Sequence, residues 1–397
     1  MGSPKLEEVF KLSGVPTFTF VKPVEYDKLL VALRSPGRGV VIEGRSGIGK
    51  TTAVTRVLAE LGAEPSTLRL SARKKEDREL IEAIPELQDA GPILIDDFHR
   101  LNEDVQRQTA DLLKTLADEE RTDTKLVIIG INKTGDSLVK FAADLNNRID
   151  TIRFEANPEA RVRQLVEKGE SALNIRFGIK NEIVKSANGS FYLAQMLCQA
   201  ACLAEGLLEA QDTVTATRSS FEVILSHVME ILSRRFLSLA VKFASGTKLR
   251  REGRAPYLHI LKWLAEANEW SIALEHEMVN HPGQRGSVGQ VVEKGYLAYL
   301  IAHTPELSEV LHYIPATQIL TAEDPQFVFF LRNLEWNKFA QQVGYINIHF
   351  DVTYDYALSF AGTERDFAKR LFELLSEEEL SVFFDENEAT SHFSARR

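Results

Sequence analysis

Cysteine is scarce, with only Cys198 and Cys202 in 397 residues. Four positions apart, they read as small core residues on one helix face. A disulfide framework is excluded, and the chain suits a reducing cytoplasm. Long apolar runs are also missing. None approaches the roughly 20 residues needed to cross a bilayer, so no membrane partner is expected. The opening MGSPKLEEVF has no apolar stretch of the kind that marks secretion, and no Ser or Thr at the sixth position of a myristoylation pattern. Histidines show no metal-ligand spacing. Positive charge is in deficit: 47 Lys and Arg stand against 57 Asp and Glu, a net −10. That excludes a general nucleic-acid coat and leaves only a local basic patch open.

What is present is the composition of a folded protein, 44% apolar and 26% charged, in a chain long enough for two to four domains. Gly39–Glu43 reads as a short buried strand and Lys50–Leu61 as a helix. Between them lies Gly44-Arg-Ser-Gly47-Ile48-Gly49-Lys50-Thr51, a G-x-x-x-x-G-K-[ST] loop in the strand–loop–helix setting the motif requires. Glycines let the backbone curl so that successive N–H groups face phosphate oxygens. Gly44, Ser46, Gly47, Ile48, Gly49, Lys50, Thr51 and Thr52 are therefore the expected phosphate cradle. Lys50 faces the β- and γ-phosphates, and the Thr51 hydroxyl is placed to ligate Mg²⁺. Ile93–Ile95 forms a second buried strand ending at Asp96 and Asp97. Asp96 is expected to hold the Mg²⁺, directly or through water, and Asp97 to orient or deprotonate the attacking water. A third strand, Lys125–Gly130, is followed by Asn132, read either as a γ-phosphate sensor or as a plain loop residue. Arg148 precedes a strand at Thr151–Phe154. There an arginine can reach a neighbouring subunit's phosphate, or simply make a surface ion pair.

Together these motifs resemble the AAA+ superfamily, and within it the signal-transduction branch called STAND, across roughly residues 15–210. Val15–Val21 looks like the segment that packs against adenine. Pro158–Gln211, with SANGSFYLAQML, looks like the helical lid. The resemblance implies ATP rather than GTP, since NKTGD at Asn132–Asp136 lacks the fourth position of a guanine reader. Many AAA+ motors carry Asp-Glu where this chain has Asp96-Asp97. The shorter second acid implies slow turnover.

Residues Arg234–Arg254 are locally basic. Pro256 then opens an amphipathic helix, a short helix comes next at Ser287–Lys294, and YLAYLIA and FVFFLRN read as strands. That order is expected of a winged helix-turn-helix, used here as a relay to the nucleotide domain rather than on DNA. The aromatics Trp263, Trp270 and Trp336 read as core. A final stretch resembles the first third of a TIR domain: YDYALSFAG (Tyr354–Gly362), a helix at Thr363–Leu380 with Phe367, Leu371, Leu374 and Leu375 on one face, and SVFFDENE (Ser381–Glu388). Phe360 and Arg365 match positions flanking that family's nucleotide pocket. The stretch expected to carry the family's catalytic glutamate is absent and Glu386 and Glu388 come too early, so NAD is expected as a partner only of a complete TIR domain, and NAD cleavage is not expected here.

The expected fold is thus an α/β P-loop NTPase (AAA+-like) core with a helical lid, then an α+β winged helix-turn-helix and a partial flavodoxin-like TIR segment. The expected divisions are 1–36, 37–157, 158–233, 234–345 and 346–397. The expected function is an ATP-dependent, Mg²⁺-requiring, self-assembling signalling switch controlling a TIR output, as in bacterial anti-phage immunity. The alternative is a DNA-associated AAA+ ATPase with its winged helix on duplex.

Overall fold

Three central strands carry near-continuous apolar runs, as strands covered on both faces require, and two strands of more polar sequence flank them at the edges. They assemble into one parallel sheet of order β2-β3-β4-β1-β5. The computed structural model describes residues 3–86, 90–130, 145, 147–247, 254–348, 350, 356–358, 364–377 and 382–383. Contacts divide the chain into Met1–Leu249 with Arg254–Leu334, and Arg250–Gly253 with Glu335–Arg397.

After a single helical turn at Leu6–Val9, the first unit contains in chain order α1 (Tyr26–Arg34), β1 (Gly39–Gly44), α2 (Lys50–Glu60), β2 (Leu68–Ser71), α3 (Lys75–Ala83), β3 (Gly91–Asp96), α4 (Glu103–Asp118), β4 (Thr124–Ile129) and β5 (Ile149–Phe154). Strand side chains alternate between faces. Val40 and Ile42 of β1 point with Leu94 and Val127 toward α1 and α2. Val41 points the other way, with Ile93, Ile95, Leu126 and Ile128, toward α3 and α4. All five strands run parallel, so their carboxyl ends open along one edge, where such sheets bind ligands.

Next come α5 (Glu159–Leu173), α6 (Lys180–Ala187) and α7 (Phe191–Ala204), packed on one another over that edge. Cys198 and Cys202 of α7 are free and buried. Burial pushes both thiols up, Cys202 to about 12. The 25-residue α8 (Phe221–Ser245) runs without a break through the boundary expected at 233/234. Three of its basic residues are paired: Arg234 with Glu230, Arg235 with Asp324 and Lys242 with Glu306.

The remainder of this unit contains α9 (Pro256–Glu266), β6 (Ser271–Ala273), α10 (Leu274–Asn280), α11 (Pro282–Glu293), α12 (Tyr296–Ala302), β7 (Leu311–Ile314), β8 (Ile319–Ala322) and α13 (Pro325–Arg332). The three strands form an antiparallel sheet of order β6-β8-β7. Two expected strands are corrected here: YLAYLIA is α12, and FVFFLRN lies mostly in α13. Gly295, at φ 71°, starts α12, which buries Leu297, Leu300 and Ile301 at helical spacing. Asp324 accepts from the Gln326 N–H, and Pro325 occupies the first turn, so α13 starts sharply. Its unbroken apolar run reflects burial on all sides, not alternation. Trp263 and Trp270 are buried. Among the described residues no helix is long and apolar enough to cross a membrane.

The second unit contains α14 (Trp336–Val343), β9 (Tyr356–Ala357), α15 (Arg365–Glu377) and β10 (Val382–Phe383). The Asn337 side chain donates to Phe350 O at 3.1 Å and accepts from its N–H at 2.8 Å. These two bonds tie α14, with its buried Trp336, to a residue on the far side of the expected 345/346 boundary. β9 and β10 pair in parallel across α15. Of the apolar residues expected on one face of that helix, Phe367 is 71% and Leu374 60% exposed, while Leu371 and Leu375 are half-buried.

Candidate nucleotide site

The loop between β1 and α2 lies where the sheet edge meets the lid. Gly44 takes φ 142°, and a Cβ there would fall 2.4 Å from the Phe154 carbonyl oxygen of neighbouring β5. Gly47 takes φ 73°, and its Cβ would meet Ser190 Oγ at 2.9 Å and Pro325 Cγ at 3.1 Å. Both positions need glycine for backbone reasons and for close approach. The loop's carbonyls are tied to the lid. Ser190 Oγ and Tyr192 N–H donate to Gly47 O at 3.2 and 3.1 Å, and Asn157 Nδ2 donates to Ile48 O at 3.0 Å. None of these bonds consumes a loop N–H.

Lys50 reaches back inside the loop and donates to Gly44 O and Arg45 O, both at 2.6 Å. Burial pulls its ammonium down to about 8, against the opposing charges of Asp96, Asp97 and Glu323. Thr51 Oγ1 donates to Asp96 Oδ2 at 3.0 Å, bringing together the two groups expected to share a cation. Burial pushes the Asp96 carboxyl up, and the neighbouring Asp97 charge adds to it. The Asp97 N–H, Thr51 and Lys50 pull it back. Among the described residues no three His, Cys, Asp or Glu side chains converge as a metal cage. A cation here needs phosphate oxygens to complete its shell, which is how Mg²⁺ is usually held.

Asp97 stands in the left-handed region, φ 58°, a conformation Asp tolerates better than most residues. Its carboxylate is fully engaged: Arg73 Nε donates to Oδ2 at 2.7 Å and Nη2 to Oδ1 at 3.1 Å. Arg148 sits at the opposite end of the sheet. Its carbonyl accepts from Gly39 N–H at the start of β1, and its guanidinium pairs with Asp118 at 2.6 Å. It therefore takes no part in its own chain's site. Asn132 lies outside the described residues. Of the remaining cradle residues, Ser46, Gly47, Gly49, Lys50, Thr51 and Thr52 line one cavity of about 380 Å³ with Asp96 and Asp97. Ile48 instead buries its side chain in the core beneath the loop.

Residues not foreseen from the sequence complete the cavity. Arg73 comes two residues after β2, at a strand end that carries no motif. Glu323, at the end of β8, arrives from more than 200 positions downstream. His99 Nε2 lies 2.8 Å from Glu323 Oε1, and Arg100 Nη2 donates to Oε2. Burial alone would push the Glu323 carboxyl up. The hydrogen bond and charge of His99 and the charge of Arg100 outweigh it and hold the group at about 2. Two further contacts join the same module to the loop and to the lid: Arg45 pairs with Glu269 at 3.0 Å, and Gln326 Nε2 donates to the Tyr192 hydroxyl of α7 at 2.9 Å.

Residues 40–155 match the sequence profile of the ATPase family associated with various cellular activities (AAA). No curated protein sequence matches. Among solved structures, the chain is similar to the RuvB Holliday junction branch migration motor of Thermotoga maritima, at 17% identity and TM-score 0.41, covering 77% of this chain and 96% of that one. It is also similar to the Aeropyrum pernix ORC2 protein, solved as ADPNP and ADP complexes, at 14% identity and TM-score 0.45, covering 86% and 99%. The Aeropyrum pernix ORC1 protein in complex with DNA gives 12% identity and TM-score 0.45, covering 85% and 96%. All three scores are too low for the likeness to carry any argument. The profile match coincides with the parallel sheet and the loop that ends at Lys50 and Thr51, and residues 40–155 are an AAA-family ATPase domain.

Proposed function

We propose that the chain binds and slowly hydrolyses ATP and works as a STAND-type switch, with residues 254–334 as a winged-helix relay that registers what the cavity holds. The observation that carries this reading is Glu323. It belongs to that downstream segment, yet it lines the same cavity as Lys50 and Asp96 and bonds to the residues just after Asp97. A change in charge inside the cavity therefore acts directly on the downstream segment, with no intervening element. The order of 256–322, a helix and a strand, then α10, α11 and α12, then the β7–β8 hairpin, supports the winged-helix reading.

In this reading the N–H groups of the 44–51 loop and Lys50 bind the β- and γ-phosphates. Thr51 and Asp96 hold Mg²⁺, which supplies Lewis-acid neutralisation of phosphate charge. Asp97 orients water once Arg73 releases it. Arg148 acts across a subunit boundary in a homo-oligomer. The parallel pairing of β9 with β10 across α15 supports a TIR-like opening as the output segment.

Molar mass measured with and without Mg·ATP tests the switch, alongside steady-state phosphate release. Assembly on ATP with slow turnover is expected. A permanent monomer, or uncoupled turnover on the order of tens per second, would falsify it. A second reading, duplex binding through α11, rests on the exposure there of Arg285, Gln290 and the adjacent Lys294. Affinity for duplex DNA that falls steeply with salt would favour it.

A further inference from the structure

The amino-terminal segment is held by the lid. Leu6 N–H donates to Leu208 O and Ala210 N–H to Pro4 O, both at 2.9 Å. Phe10 is fully buried against α5, where a Cβ on Gly169 would fall 2.2 Å from its ring. From α7, Gln199 Nε2 donates to Phe10 O and Gln195 Nε2 to Thr19 Oγ1, both at 2.9 Å. Lys168 Nζ of α5 donates to Phe20 O at 2.6 Å. Pro16, Thr19, Phe20 and Val21 of this segment line the same cavity as Lys50 and Thr52.

From the other side, Arg56 of α2 reaches the same stretch. Its Nη2 donates to Pro16 O, and its guanidinium lies over the Phe20 ring, 5.0 Å from the centroid. Phe20 also meets Tyr26 edge-on at 6.0 Å. Arg56 follows Thr52 by four residues, so it stands about 6 Å further along α2 from the phosphate loop. It is half-buried and does not itself line the cavity. Arg56 therefore backs a wall whose inner face is apolar and aromatic. A triphosphate seated on the 44–51 loop leaves that wall to its nucleoside.

We infer that Arg56 is a positioning residue for the nucleoside end of the site: without touching the nucleotide, it clamps Pro16 and Phe20 so that the base packs on a wall already in place. The bonds from α5 and α7 tie this wall to the lid, whereas Arg56 ties it to the helix that begins at the phosphate loop. A surface fixed before binding spares the base the cost of ordering it. The inference deepens the ATP reading above and rests on it.

The test is calorimetric binding of Mg·ATP and Mg·tripolyphosphate, which has no base, to the full chain, to Arg56→Met and to Arg56→Lys. The unaltered chain should bind ATP about tenfold or more tightly than tripolyphosphate. Arg56→Met keeps an aliphatic stem against the wall and should lose about tenfold in ATP affinity, with tripolyphosphate held within about twofold. Arg56→Lys retains a cation and a donor and should bind ATP within about threefold of the unaltered chain. Unchanged ATP affinity in Arg56→Met overturns the proposal. So does an equal loss of both ligands, the mark of a general disturbance of α2, and so does a lysine variant as weak as the methionine one. If the unaltered chain binds neither ligand, the ATP reading fails and this inference with it, whereas equal affinity for both sinks this inference alone.

Discussion

Arg73 holds Asp97 by both carboxylate oxygens, at 2.7 and 3.1 Å, so the acid proposed to orient a water is occupied by a cation from just beyond β2. Neither oxygen is free for proton transfer while this pair stands. A triphosphate entering the cavity, which Arg73 also lines, offers the guanidinium a second anion and so competes with Asp97 for it.

The pair predicts opposite effects for its two members. Arg73→Gln should raise basal phosphate release several-fold, because Asp97 is freed. Asp97→Asn preserves shape and suits the positive φ, and should leave binding within about twofold while lowering turnover by about a hundredfold or more. Steady-state hydrolysis with parallel nucleotide titration measures both. Slower turnover in Arg73→Gln would reject restraint by Arg73.

Lys50 gives a pH dependence with a definite sign. In the free chain its ammonium titrates at about 8, against 10.5 for an ordinary lysine. Phosphate raises that value, so binding takes up a proton above about pH 8. Affinity for Mg·ATP should be flat below that pH and fall above it, by at most about tenfold per unit. Calorimetry in buffers of different ionisation heat reads the proton uptake directly. Lys50→Ala should weaken binding by about two orders of magnitude and abolish the pH effect.

Glu323 predicts acid sensitivity. Its folded value of about 2 lies below the ordinary 4.5. The linked stability, about 3 kcal/mol, is complete above about pH 4.5 and is lost as pH falls toward 2. Glu323→Gln should flatten that acid limb in thermal melts at pH 7, 5, 4 and 3. Glu323→Ala leaves Arg100 without its carboxylate and should cost about 3 kcal/mol or more at pH 7. An identical acid limb in Glu323→Gln would dismiss the assignment.

Gly47→Ala tests how closely loop, lid and downstream segment meet. The methyl needs an unfavourable φ and would strike Ser190, Pro325 and Tyr192 at 2.9, 3.1 and 3.2 Å. A cost of about 1–3 kcal/mol is expected, with increased protease sensitivity at the junction of lid and downstream segment. Limited proteolysis shows whether the segments part.

The phosphate loop and Asp96 are legible in the sequence because each is set by short-range chemistry: glycines beside a lysine, or an apolar strand ending in acid. The central strands of the parallel sheet are legible for the same reason, being apolar runs, whereas the edge strand Leu68–Ser71, with its alternating LRLS, is not. Arg73, Asn157, Gln195 and Glu323 are not. Each is defined by a partner distant in the chain, as Glu323 is by His99, and nothing local distinguishes an acid bonded across the fold from one in water. YLAYLIA and FVFFLRN pass for strands because a buried helix of seven or eight residues shows too few turns for its period to emerge. The starts of α12 and α13, Gly295 and Asp324-Pro325, carry the information that composition hides.

Helix α8 packs against lid helix α7 and against α9 and α13. With 25 residues it is a rod of about 37 Å. A tilt of only about 10° at one end sweeps the other through about 6 Å, more than a full helical turn of rise. In the proposed relay, a displacement at the nucleotide too slight to disturb the sheet would be geared up by leverage into a far larger one at the other end of this rod.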